Sequence, residues 1–123
     1  MTRAVVRQTA GMDDPRESAF AAVEVYCEAQ VPAEHLDEMR VECSRRGNSI
    51  TIFEARPPWN PELTEWSRTK VAQIRFDPDS ALWTLYCSDR NGKWWRYEGF
   101  ASSPRIDDHL REITADPTCI FWG

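Results

Sequence analysis

In the stretch NSITIFEARPPW, residues 48–59, strict alternation sets Ile50 and Ile52 on one face of a strand and then puts Glu54 and Arg56 at the next two positions of that face. A charge at the end of a core face needs a partner, and a carboxylate beside a guanidinium supplies one. Two uses of the pair follow. It can be a structural ion pair that locks the loop beginning at Arg56, or it can line a pocket with Trp59 and Trp66, in which Glu54 could act as acid or base. The loop RPPWNPELTEWS carries three prolines and two tryptophans and has no strand period, so it reads as a long, stiffened connection over residues 56–67.

The other groups capable of chemistry lack company. His35 sits in the polar connector PAEHLDE and His109 beside Asp107 and Asp108, and both read as solvated. Neither is joined by a nucleophile motif, a metal-ligand spacing or a phosphate loop. The four cysteines, Cys27, Cys43, Cys87 and Cys119, have no CxxC spacing and read as free thiols, the first three facing inward. The residues therefore assign no catalytic group, metal or cofactor, and a small enzyme using Glu54 stands as the alternative to a binding role.

These groups must be positioned by elements that the sequence punctuates clearly. Asp14, Pro15 and Glu17 supply an N-cap, a first-turn proline and a capping-box partner, and Phe20, Val23, Cys27 and Val31 follow at helical spacing until Pro32. From Met39 the period is two. Gly47 and Asn48 suit a two-residue primed turn, which sets Cys43 opposite Ile52 and Val41 opposite Glu54. The DPDS turn pairs Phe76 with Ala81 and Ile74 with Trp83. In DRNGK, Gly92 takes the left-handed place of a turn with a bulge, which sets Cys87 opposite Trp95 and Leu85 opposite Tyr97. Ser103 and Pro104 then open a second helix with Ile106, Leu110 and Ile113 on its stripe, ended by Asp116-Pro117. The expected fold is α+β: an N-terminal helix, a five-stranded antiparallel meander, and a C-terminal helix with the apolar tail CIFWG docked.

One sheet face then holds Met39, the inward cysteines, Trp83, Trp95, Tyr97 and the aliphatic core, while the other has an odd composition. That second face gathers Arg40, Arg46, Arg75 and Arg96 against Glu42 and Glu98, interleaved with Phe53, Tyr86 and Trp94. Arginines among aromatics on an open sheet are the ingredients of a stacking platform for single-stranded nucleic acid or another planar anion. The competing expectation is that a helix, the tail or a second copy of the chain covers those aromatics.

The blocks RRGNSITIFEARPPW, VAQIRFD, WTLYCSDRN and DPTCIFWG closely resemble a small bacterial family catalogued as domain-of-unknown-function family 3024. The resemblance runs from about Val41 to Gly123 and implies no activity, cofactor or substrate. Composition sets the remaining bounds. A chain of 123 residues with 41% hydrophobic content can bury one core, and a net charge of −5 argues against a broadly basic nucleic-acid coat while leaving room for a local basic patch. The opening MTRAVVRQTAGMD has no apolar run long enough for a signal or a membrane span, so residues 1–13 read as a disordered leader on a cytoplasmic domain spanning residues 14–123. The sum is a small cytoplasmic binding or interaction module, with the ligand at the second sheet face or at the Glu54 cluster.

Overall fold

The chain's computed structural model describes residues 14–123, and the expected 1–13 leader lies outside the described residues. Helix α1 spans Pro15–Ala29, and strands β1 (Arg40–Arg46), β2 (Ser49–Arg56), β3 (Ser67–Asp77), β4 (Leu82–Ser88) and β5 (Trp94–Arg96) precede helix α2 (Ile106–Ala115). The five strands form one antiparallel sheet in the order β1-β2-β3-β4-β5, so the α+β meander expected from the sequence is the observed fold.

Helix α1 starts where Asp14 caps it, but the expected capping box takes another form. The Asp14 carboxylate accepts from the Arg16 backbone N–H at 2.9 Å and from the Arg16 Nε at 3.1 Å, and this ion pair holds the Asp14 carboxyl below the usual carboxylate range. Ala19, Val23, Cys27 and Val31 then recur at helical spacing and are buried against the sheet. On that same side α2 contributes Leu110 and Ile113. Cys27 meets Cys43 of β1, and that contact together with burial pushes the Cys27 thiol up, so it behaves as a core hydrophobe.

The first hairpin has the expected register, Cys43 opposite Ile52 and Val41 opposite Glu54, with Gly47 at φ 59°. So has the third: Cys87 pairs with Trp95, the Tyr97 N–H donates to the Leu85 carbonyl at 2.9 Å, and Gly92 stands at φ 80°. The second hairpin differs. Phe76 pairs with Trp83 and Ile74 with Leu85, because the turn runs to Ala81, which adopts φ 59° and donates its N–H to the Asp77 carbonyl at 2.8 Å. The Asp77 carboxylate stabilises this wider turn by accepting from the Asp79 N–H at 3.0 Å and from the Ser80 hydroxyl at 3.0 Å. A shift of two places leaves every side chain on its expected face, so Ile74, Phe76, Trp83 and Leu85 are all buried.

Three further expectations are corrected. Trp95 lies on the core side by register but at the sheet edge, where it is 52% exposed and its indole N–H donates to Asp89 Oδ2 at 2.9 Å. Helix α2 begins two residues after Pro104. Ser103 still serves its start, accepting from the Arg105 N–H at 3.1 Å and donating to Asp108 Oδ2 at 2.7 Å. His109 is not solvated: it is 0% exposed, with Nδ1 2.9 Å from the Arg105 carbonyl and Nε2 2.9 Å from the Trp83 carbonyl, so the ring ties α2 to β4. The tail is docked as expected. Asp116, left-handed at φ 41°, turns its carboxylate to the N–H groups of Phe121 at 3.0 Å and Trp122 at 2.9 Å, and the Phe121 ring centroid sits 5.0 Å from that of Tyr97.

Candidate ligand-binding face

Both helices and Phe121 pack on one face of the sheet, and neither helix nor the tail lies on the other. The pairing registers set out that second face in cross-strand rows. Arg46, Ser49, Arg75 and Thr84 form one row, and Ser44, Thr51, Gln73, Tyr86 and Arg96 the next. The ladder then shifts: Ile52 pairs with Ala72 but Phe53 pairs with Lys70, leaving Val71 as the extra residue of a bulge. Beyond it lie a third row, Glu42, Phe53 and Lys70 with Ser88 and Trp94 alongside, and a fourth, Arg40, Ala55 and Arg68.

The bulge changes the composition of the face. Val71 and Ala72 are both buried, and Arg68 and Lys70 turn to the open side, where unbroken alternation from Ala72 would have put them on the core side. The four rows thus hold six cations, Arg40, Arg46, Arg68, Lys70, Arg75 and Arg96, against one carboxylate, Glu42. Of these six cations Arg68 alone has a carboxylate partner among the described residues, Glu42 Oε1 at 2.8 Å from its Nε. Glu98, expected on this face, follows the end of β5, and Asp77 is bonded into its own turn.

Several cations are laid on aromatic rings. The Arg75 guanidinium carbon stands 3.8 Å from the Tyr86 ring centroid, and its Nε donates to Gln73 Oε1 at 2.6 Å, while the Gln73 amide donates to Thr51 Oγ1 at 2.9 Å. That chain of bonds holds the guanidinium over the tyrosine ring. Lys70 Nζ lies 5.4 Å from the Trp94 ring centroid and donates to the Gly92 carbonyl at 2.7 Å. Arg40 lies 4.2 Å above the Trp66 ring and donates from Nε to the Leu36 carbonyl at 2.9 Å.

Of the residues singled out from the sequence, Arg46, Arg75, Tyr86, Trp94 and Arg96 share this face. The expected pocket of Glu54, Arg56, Trp59 and Trp66 does not assemble. Glu54 Oε2 and Arg56 Nε do pair at 3.1 Å on the core side, where Arg56 also reaches Met39 Sδ at 3.5 Å. Trp59, however, is 89% exposed, and Trp66 crosses to the opposite face to meet Arg40. The loop does border a hollow of about 380 Å³, but on the open face, lined by Arg40, Glu42, Thr64, Glu65, Trp66 and Arg68. The proline-rich loop turns back at the end of the sheet between β2 and β3, and residues close in sequence come to lie on different sides of it. Lys70 and Arg68 are the site residues that sequence reasoning missed. Their signal was the adjacent pair Val71-Ala72, which breaks the alternation of KVAQIRF.

No helix among the described residues is long and apolar enough to cross a membrane, and no three His, Cys, Asp or Glu side chains among them gather as a metal site. No curated protein and no solved structure matches the chain. The sequence resemblance covered the sheet and the C-terminal helix, and a family match extends it across α1: residues 12–123 match the family described as Domain of unknown function (DUF3024), to which this chain belongs.

Proposed function

We propose that this domain is a binding module whose open sheet face takes an anionic ligand. The observation that carries the reading is a set of five cations without carboxylate partners among the described residues, crowded on one face of a chain whose net charge is −5. Fields of that kind persist where nothing neutralises them, and they attract ligands of opposite sign. The remaining surface is correspondingly acidic, so the attraction is directional.

Two alternatives have less support. A homodimer through this face would oppose two cationic surfaces, which repel unless an anion lies between them. Catalysis by Glu54 would need its carboxylate free beside other reactive groups, but Arg56 engages it and Trp59 and Trp66 are elsewhere.

The test is retention on immobilised heparin, a polyanion without bases. A chain of net charge −5 has no general reason to bind it, so retention at low salt that is lost in an Arg46→Glu, Arg75→Glu variant supports the face as the site. Passage of the folded wild type straight through at low salt refutes the reading.

A further inference from the structure

We infer that the anion recognised by this face is a single-stranded nucleic acid, with phosphates on Arg46, Lys70 and Arg96 and bases stacked on Trp94 and on the Arg75–Tyr86 layer. The inference rests on the anion-binding reading above and adds to it the chemistry of the ligand.

Charge alone would suit any polyanion, so the argument turns on where the aromatics lie among the cations. Tyr86 occupies the second row with Arg96, and Phe53 and Trp94 belong to the third with Lys70, whereas Arg46 and Arg75 stand in the first row and Arg40 and Arg68 in the fourth. An aromatic band is therefore flanked by cations on both sides. Alternate residues on a strand are about 6.7 Å apart and strands about 4.8 Å, so the band crosses a face of roughly 20 by 20 Å. A strand of nucleic acid presents the matching pattern, flat apolar bases with charge on a flexible backbone beside them.

A duplex does not. Its base faces are stacked internally, and a sheet face has no helix or ribbon to place in a groove. Inorganic polyphosphate and sulfated polysaccharide offer charge with nothing to stack. The Arg75 position points the same way: its guanidinium is held over Tyr86, 3.8 Å from the ring centroid, by the bond to Gln73, and a planar guanidinium can offer a face to a base while its remaining N–H groups meet phosphate. An exposed lysine would serve a simple anion as well.

The test is intrinsic tryptophan quenching combined with anisotropy of a labelled oligonucleotide of about 12 nucleotides, within the roughly 4 to 16 that one such platform covers. Single-stranded RNA and DNA of mixed sequence, the corresponding DNA duplex, and sodium polyphosphate are compared on the whole chain. Single strands should quench the fluorescence, and log K should fall against log salt with a slope near −3, the value for about four neutralised phosphates. Trp94→Leu should weaken single-strand binding roughly five- to hundredfold, the range for one lost stacking partner. Arg75→Lys, which keeps charge and loses the planar layer, should weaken it severalfold while leaving polyphosphate binding unchanged; circular dichroism confirms that both variants fold.

RNA and DNA binding equally leaves the stacking mode intact, and a preference for RNA assigns a 2′-hydroxyl contact in addition. Duplex or polyphosphate binding as tight as single strands, with Trp94→Leu silent, overturns the nucleic-acid inference and leaves the anion reading standing. No binding of any anion overturns both. A dimer that Trp94→Leu dissociates, with no quenching by oligonucleotide, overturns the inference in favour of a protein interface.

Discussion

Replacing His109 separates two roles that one buried ring performs. The ring is 0% exposed and edge-on to Phe100 at 5.2 Å between centroids, and its nitrogens reach the Arg105 and Trp83 carbonyls at 2.9 Å each. His109→Ala removes the ring and its bonds together, and on the scale of large buried rings should cost about 3 to 5 kcal/mol. His109→Phe keeps a buried aromatic ring, somewhat larger than imidazole, and loses the hydrogen bonds. Neither carbonyl is then orphaned, because Trp83 O still accepts from the Ser103 N–H at 3.1 Å and Arg105 O from the Asp108 N–H at 3.2 Å. The cost should fall to about 1 to 2 kcal/mol, the net worth of the lost hydrogen bonding with neither carbonyl left unpaired. Guanidinium unfolding followed by tryptophan fluorescence reads both, as a lower midpoint at constant slope. A loss below about 1 kcal/mol for His109→Ala would refute the claim that this ring ties α2 to β4, since no collapse of the site could hide so large a cavity. Equal losses for the two variants would assign the whole effect to hydrogen bonding and refute the packing half of the reasoning.

The Glu54–Arg56 pair is partly open to water, with side-chain exposures of 24% and 58%, so Glu54→Gln should change stability by less than about 1 kcal/mol in the same unfolding assay. A larger loss would show that the pair is shielded in solution. Asp89 makes a pH-dependent prediction. The Trp95 indole N–H, and then the Lys93 backbone N–H, hold its carboxyl below the usual carboxylate range, so folding favours the ionised form. Its stabilisation is fully present above about pH 4, the ordinary aspartate value, and is lost as pH falls through the lower folded value. Tryptophan emission in the wild type should therefore change below about pH 4, and Asp89→Asn, whose amide cannot accept from both donors with charge, should flatten that change. An unaltered profile in the variant would mean that the Trp95 contact is not what Asp89 contributes.

Much of the fold was legible because its punctuation is local. Gly47-Asn48 and Asp89 to Gly92 name their own turns, and each sets a register that the structure keeps. The second turn was read two places short because Ala81, rather than a glycine, takes the left-handed position, and nothing in the residue type announces it. The slip changed pairing and not facing, so the core list survived it. His109 was read by its neighbours Asp107 and Asp108, yet it stands three residues after Ile106 and four before Ile113, on the apolar stripe itself. Helical spacing outranked local polarity there because a carbonyl stands within hydrogen-bond reach of each ring nitrogen, so the ring N–H is not buried without a partner.

The site was legible in its arginines and aromatics and illegible in its assembly. Period-two reading assumes that each residue along a strand turns over once, and Val71 breaks that rule. Its side chain and that of Ala72 both enter the core, so the chain before them is rotated and Arg68 and Lys70 face outward. The same apolar residue thus fills the core and converts an ordinary polar sheet back into a dense cationic one. Bulges persist in strands when they re-aim side chains to an advantage the ladder alone would not provide. Here the bulge brings Lys70 beside Trp94 and Arg68 within reach of Glu42. A stretch of sequence that looks like an imperfect strand is, in the folded chain, the device that builds the face.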